Sequence, residues 1–119
     1  MQEVKLNTSE LAHAIVNLLE EHKGLDILLL DIQPITILAD YFILCTGTGE
    51  RHLKAMATEL SKGLKEDVGR PLSIEGEAEA GWVLIDYGDV VVHLFLAQTR
   101  KFYDLEGLWK DAQVVVRIQ

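Results

Sequence analysis

Apolar positions along the chain follow two different periods, and the change of period divides it into elements. Leu11, Ala14, Ile15, Leu18 and Leu19 recur at intervals of three and four, which predicts an amphipathic helix over about residues 8–23. Asn7 stands at its N-cap and Glu10 three residues on, a capping-box arrangement, and Lys23-Gly24 closes it. The run Leu25 to Ile32 reads as a buried strand broken by Gln33-Pro34, and Tyr41 to Thr46 reads as a second strand. Gly47-Thr48-Gly49 leads into a second helix from Glu50, with Leu53, Met56, Ala57, Leu60 and Leu64 on one face. Asp67-Val68-Gly69 ends this helix, and Pro71 keeps it from resuming before a short third strand, Leu72 to Glu75.

The segment Trp82 to Leu96 has the pattern of a hairpin, with β-rich runs on either side of Asp86-Tyr87-Gly88-Asp89. A two-residue loop at Tyr87-Gly88 sets Trp82 opposite His93 and Leu84 opposite Val91. One face then carries Val83, Ile85, Val90, Val92, Leu94 and Leu96, all apolar and therefore core. The other carries Trp82, Leu84, Asp86, Asp89, Val91, His93 and Phe95, a mixture that suits a surface covered by a partner. A third helix is predicted from Thr99 to Lys110, with Phe102, Leu105 and Trp109 buried. The order α-β-β-α-β-β-β-α describes one α/β domain over residues 1–119. It predicts a single mixed β-sheet of about five strands with helices packed mainly on one face.

Composition narrows the function. Nineteen acidic against eleven basic residues give a formal charge of −8, which argues against a nucleic acid as principal ligand and fits a basic protein partner. The N-terminus has neither a basic segment nor an apolar core, so no secretory leader is expected, and no apolar run approaches the roughly 20 residues that span a bilayer. The single cysteine, Cys45, lies in an apolar strand and reads as a buried, reduced thiol in a cytoplasmic protein.

Three features could carry chemistry. Thr46-Gly47-Thr48-Gly49 lies between a strand and a helix, where backbone amides can hold phosphate, but no Walker lysine follows and the motif is too short for a dinucleotide fingerprint. The carboxylates Asp40, Glu75, Glu77, Glu79, Asp86 and Asp89 could in principle hold metals, yet Glu75 to Glu79 read as a polar loop and the two hairpin aspartates as turn residues. His13, His22, His52 and His93 have no metal-ligand spacing with one another or with Cys45. No catalytic residue, metal ligand or cofactor site is assigned, and a binding module is the better reading. The rival is a small nucleotidyltransferase or nucleotide-binding enzyme that uses Thr46 to Gly49 with Asp86 and Asp89.

Three ordered blocks resemble the ribosomal silencing factors, also called Iojap-like proteins. They are ADYFILCTGTGERH (39–52), IEGEAEAGWVLIDYGDVVVHLF (74–95) and RKFYDLEGLW (100–109), so the resemblance spans about residues 25–109. Gly49 stands where that family usually has Ser, and the tail 110–119 follows no pattern seen in it. The resemblance implies a nucleotidyltransferase-like fold without transferase activity. It also implies binding to the large ribosomal subunit through ribosomal protein L-fourteen, exclusion of the small subunit, repression of translation, a part in large-subunit maturation, and homodimers in isolation. Neither a membrane nor a specific nucleic-acid sequence is an expected partner. Hairpin and resemblance together assign partner contact to Trp82, Leu84, Asp86, Tyr87, Asp89, Arg100 and Tyr103.

Overall fold

The computed structural model describes residues 6–63 and 71–119. Helix α1 (Thr8–Glu21) starts on the predicted capping box: the Asn7 carboxamide accepts the Glu10 N–H at 2.8 Å and the Glu10 carboxylate accepts the Asn7 N–H at 3.0 Å. Its buried stripe is Leu11, Ala12, Ile15, Val16 and Leu19, so Ala14 and Leu18 lie at the margin of the contact rather than at its centre. The chain leaves α1 through Lys23 at φ 63° and Gly24. A Cβ on Gly24 would collide with the Cys45 sulfur, so only glycine lets helix and sheet approach this closely.

The remaining elements are β1 (Leu25–Asp31), β2 (Tyr41–Gly47), α2 (Glu50–Gly63), β3 (Ser73–Glu77), β4 (Trp82–Asp86), β5 (Val90–Leu96), α3 (Ala97–Tyr103), α4 (Leu105–Leu108) and β6 (Gln113–Ile118). They build one mixed sheet in the order β3-β4-β5-β2-β1-β6, in which β2 and β5 run parallel and the other neighbours antiparallel. The sheet has six strands where five were expected. The sixth comes from the tail, where Val114 to Arg117 pair with β1. Leu64 and the predicted stop at Asp67-Val68-Gly69 lie outside the described residues.

Strand alternation sorts the core into two layers. Ile27, Leu29, Ile43, Cys45, Val83, Ile85, Val90, Val92 and Leu94 face α1 and α2. Leu28, Leu30, Phe42, Leu44 and Phe95 point the other way and are covered by Leu105, Trp109 and Ala112. The two long helices therefore cover the centre of one face, while the short C-terminal helices lie on the other.

Three expectations need correction. The hairpin pairs Trp82 with Phe95, Leu84 with His93 and Asp86 with Val91, because the Tyr87 N–H reaches the Val90 carbonyl at 2.9 Å and moves the two-residue loop to Gly88-Asp89. That slip is two residues in register, an even number, so the side chains of both strands keep their predicted faces and only Asp89 passes into the loop. The helix predicted over 99–110 breaks at Asp104, whose φ is 46° and whose carboxylate accepts the Gly107 N–H to cap α4. The break leaves Phe102 81% exposed instead of buried, whereas Leu105 and Trp109 do pack inward. Strand β3 continues to Glu77, so Glu75-Gly76-Glu77 are strand residues, exposed because β3 is the sheet's edge.

Candidate functional site

The second face of the sheet carries a row of aromatic rings. Trp109 meets Phe42 edge-on at 5.2 Å, Phe42 meets His93 at 4.9 Å, and Trp82 lies 5.9 Å from His93 and 5.0 Å from Phe95. Tyr103, reaching over from α3, packs on Trp82 at 4.7 Å, and Phe102 stands edge-on to Tyr103 at 5.0 Å. The row is buried at Phe42 and His93, half-buried at Trp82, and emerges at Tyr103 and Phe102. Beside it runs an open groove of about 340 Å³ lined by Glu75, Gly76, Ala80, Trp82, Leu84 and Tyr103. Glu75 pairs with Leu84, so the edge strand lays one carboxylate along the apolar centre, whereas Glu77, opposite Trp82, lines the cleft against α2. Gly76 makes this possible: at φ 84°, a Cβ there would strike the Trp82 carbonyl.

His93 anchors the row from below. Its Nδ1 accepts the Trp82 indole N–H at 3.2 Å, which places the ring proton on Nε2, and that buried nitrogen has no hydrogen-bond partner. Burial pushes the imidazole pKa down to about 4, so the ring is neutral at physiological pH.

Of the seven residues assigned to partner contact, Trp82, Leu84 and Tyr103 come together at this groove. Asp86 ends β4 and Asp89 lies in the turn before β5; the Asp86 carboxylate accepts the Gly88 N–H at 2.7 Å and so holds the loop, and Asp89 is exposed. Tyr87 does not join them. It packs with the helix-side core, donates its hydroxyl to the Leu60 carbonyl at 3.1 Å, and its pKa is pushed up to about 12 by burial. Arg100 is a brace rather than a presented cation: it binds Glu106 at 2.7 Å, the Asp26 carbonyl at 2.7 Å and the Thr46 hydroxyl at 2.9 Å. Sequence reasoning did not bring Glu75 or Phe102 to this groove. The spacing of Ser73 and Glu75 was the available signal for Glu75, since it matches the face of Asp86 and Leu84 once β3 is extended.

The constellation required by the rival enzyme is not assembled. Thr46 to Gly49 lie at the carboxyl end of β2, whereas Asp86 and Asp89 flank the opposite end of the sheet, beside Tyr41 and Val90. The β2 strand separates them, at roughly 3.3 Å per residue, so they cannot share one metal or one phosphate. His52 is also occupied: its Nδ1 accepts the Thr48 N–H at 2.9 Å and its Nε2 bonds the His22 carbonyl at 2.8 Å. Burial raises the Cys45 thiol to about 12, the condition of an unreactive sulfur.

Residues 5–119 match the protein family described as "Ribosomal silencing factor during starvation". The chain belongs to the ribosomal silencing factor family. A ribosomal silencing factor from Halalkalibacterium halodurans is 39% identical over 110 residues, covering 92% of this chain and 94% of that protein. A mouse protein named for mitochondrial assembly of the ribosomal large subunit is 38% identical over 98 residues, covering 80% of this chain and 43% of its own length. A crystal structure of a Chromobacterium violaceum protein superposes with a TM-score of 0.83 at 38% identity, over 88% of each chain. The silencing-factor match takes in α1 and β6, both beyond the span of residues 25–109 that the sequence blocks cover.

Proposed function

We propose that this silencing factor acts in the cytoplasm by docking on ribosomal protein L-fourteen at the intersubunit face of the large subunit. Its bulk then excludes the small subunit and represses translation, with no chemical step, and the same contact serves large-subunit maturation. When free, the chain forms a homodimer. One observation carries the reading: Trp82, Tyr103 and Phe102 form an aromatic ridge, bordered by Glu75, whose outer rings Tyr103 and Phe102 stand exposed. Aromatic anchors inside a polar rim are the usual composition of interface hot spots, and the rim's charge is opposite to that of a basic ribosomal protein.

Tyr103→Ala combined with Phe102→Ala tests this, because both side chains are more than half exposed. Folding stability should change by about 1 kcal/mol or less, while binding to purified large subunits weakens by about 2 kcal/mol or more. The variant should also no longer keep added small subunits from joining, measured by gradient sedimentation. A folded double variant that still cosediments and still blocks joining would remove the ridge from the interface.

A further inference from the structure

The connection between β1 and β2 holds its apolar side chains away from the protein. Ile37 is 102% exposed, Leu38 76% and Ile35 41%. The loop is not slack: the Ile32 carbonyl accepts the N–H groups of both Ile35 and Thr36, the Thr36 hydroxyl accepts the Leu38 N–H at 3.1 Å, and Ile32 and Ala39 are buried at its base. Those two anchors belong to the same core layer as Phe95, against which Trp82 packs, so the loop rises from the face that carries the aromatic ridge.

Its surroundings are acidic. The Asp89 carbonyl accepts the N–H groups of Asp40 and Tyr41, Asp31 ends β1 opposite Tyr41, and Asp86 ends β4 opposite Val91. Asp111 precedes β6, whose first residue pairs with Asp31. Five aspartates thus gather at this end of the sheet, against Lys62 and Lys110 among the described residues.

We propose that the 35–38 loop is a second docking element: Ile37 and Leu38 enter an apolar notch flanked by Lys or Arg on a ribosomal protein. This rests on the large-subunit reading above and extends its contact surface. Charge selects the occupant. A nucleic-acid backbone or an anionic membrane would be repelled by the carboxylates, and a second copy would bring the same aspartates together. A basic protein surface satisfies both the carboxylates and the exposed side chains.

The test uses the full chain and purified bacterial large subunits. Ile37→Ser with Leu38→Ser should leave the melting temperature unchanged, since Ile37 touches little of its own chain. Affinity should fall at least about tenfold, which corresponds to about 1.4 kcal/mol. Ile37→Val with Leu38→Met should bind like the unsubstituted chain. A photo-crosslinking residue at position 37 should give an adduct with a ribosomal protein. Undiminished binding by the serine pair, or an adduct with ribosomal RNA, would overturn the inference and leave the ridge reading in place. Failure of the unsubstituted chain to cosediment would overturn both.

Discussion

His93 lies 4% exposed beneath Trp82 and accepts its indole N–H, so the ridge depends on an imidazole that stays uncharged. The same burial makes the fold sensitive to acid. The folded pKa is lowered to about 4 from 6.5, so between those values the unfolded chain binds a proton that the folded chain does not. Stability from this group is therefore complete above pH 6.5 and is lost as pH falls toward 4, by roughly 3 kcal/mol over the window. His93→Gln should flatten the dependence, because glutamine has no proton to take up. Urea titrations at intervals from pH 7 to 4.5 measure the slope, and an equal slope in both proteins would show that other groups cause it.

At the scale of elements, Arg100 joins more of the structure than any other described side chain. From α3 it reaches the backbone of β1, the end of β2 and the carboxylate of α4. Its side chain is only 11% exposed, so Arg100→Ala strands three acceptors and should cost about 3 kcal/mol of stability. Arg100→Lys should recover little, since a single ammonium cannot span the guanidinium's fork. Thermal melts decide the point, and a lysine variant as stable as the unsubstituted chain would refute the brace. The sequence showed where α1 begins and which hairpin residues face inward, because a cap and an alternation are local signals. It did not show β6, because Val114-Val115-Val116 form a short apolar run whose partner, β1, is remote in sequence. Nor did it show the break at Asp104, where a helix former's periodicity continues through a residue whose φ has turned positive. The hairpin pattern placed Trp82 on the mixed face of the sheet, where it lies half-buried. Its contact with Tyr103 was not legible, since that depends on how α3 leaves β5.

Across the whole molecule, charge is distributed along the strand direction. The five aspartates stand at one end of the sheet, whereas at the end where β2 and β5 finish Lys23, Arg51, Arg100, Lys101 and Arg117 are interleaved with Asp26, Glu50, Asp104 and Glu106. A basic partner approaching from solution is therefore drawn toward the loop end first. Asp40→Asn with Asp89→Asn should lower the association rate with large subunits a few-fold at low salt and leave dissociation nearly unchanged. The two proteins should converge near 1 M salt, where the Debye length is about 3 Å. Stopped-flow association across a salt series measures this, and a rate independent of salt would show that the net charge of −8 does not steer binding.

The pairing of β1 with β6 also determines when the protein can be finished during its own synthesis. The two strands come from opposite ends of the described chain, yet β6 is the only neighbour on that side of β1. Until residues 113–118 have been translated, β1 keeps an unsatisfied row of amides and carbonyls beside Ile27, Leu29 and Leu30. Closure of the sheet is thus a late, non-local event that waits on chain elongation. A nascent copy cannot complete its sheet before its final described strand has emerged, which delays the folded silencing factor's arrival at any ribosome until then.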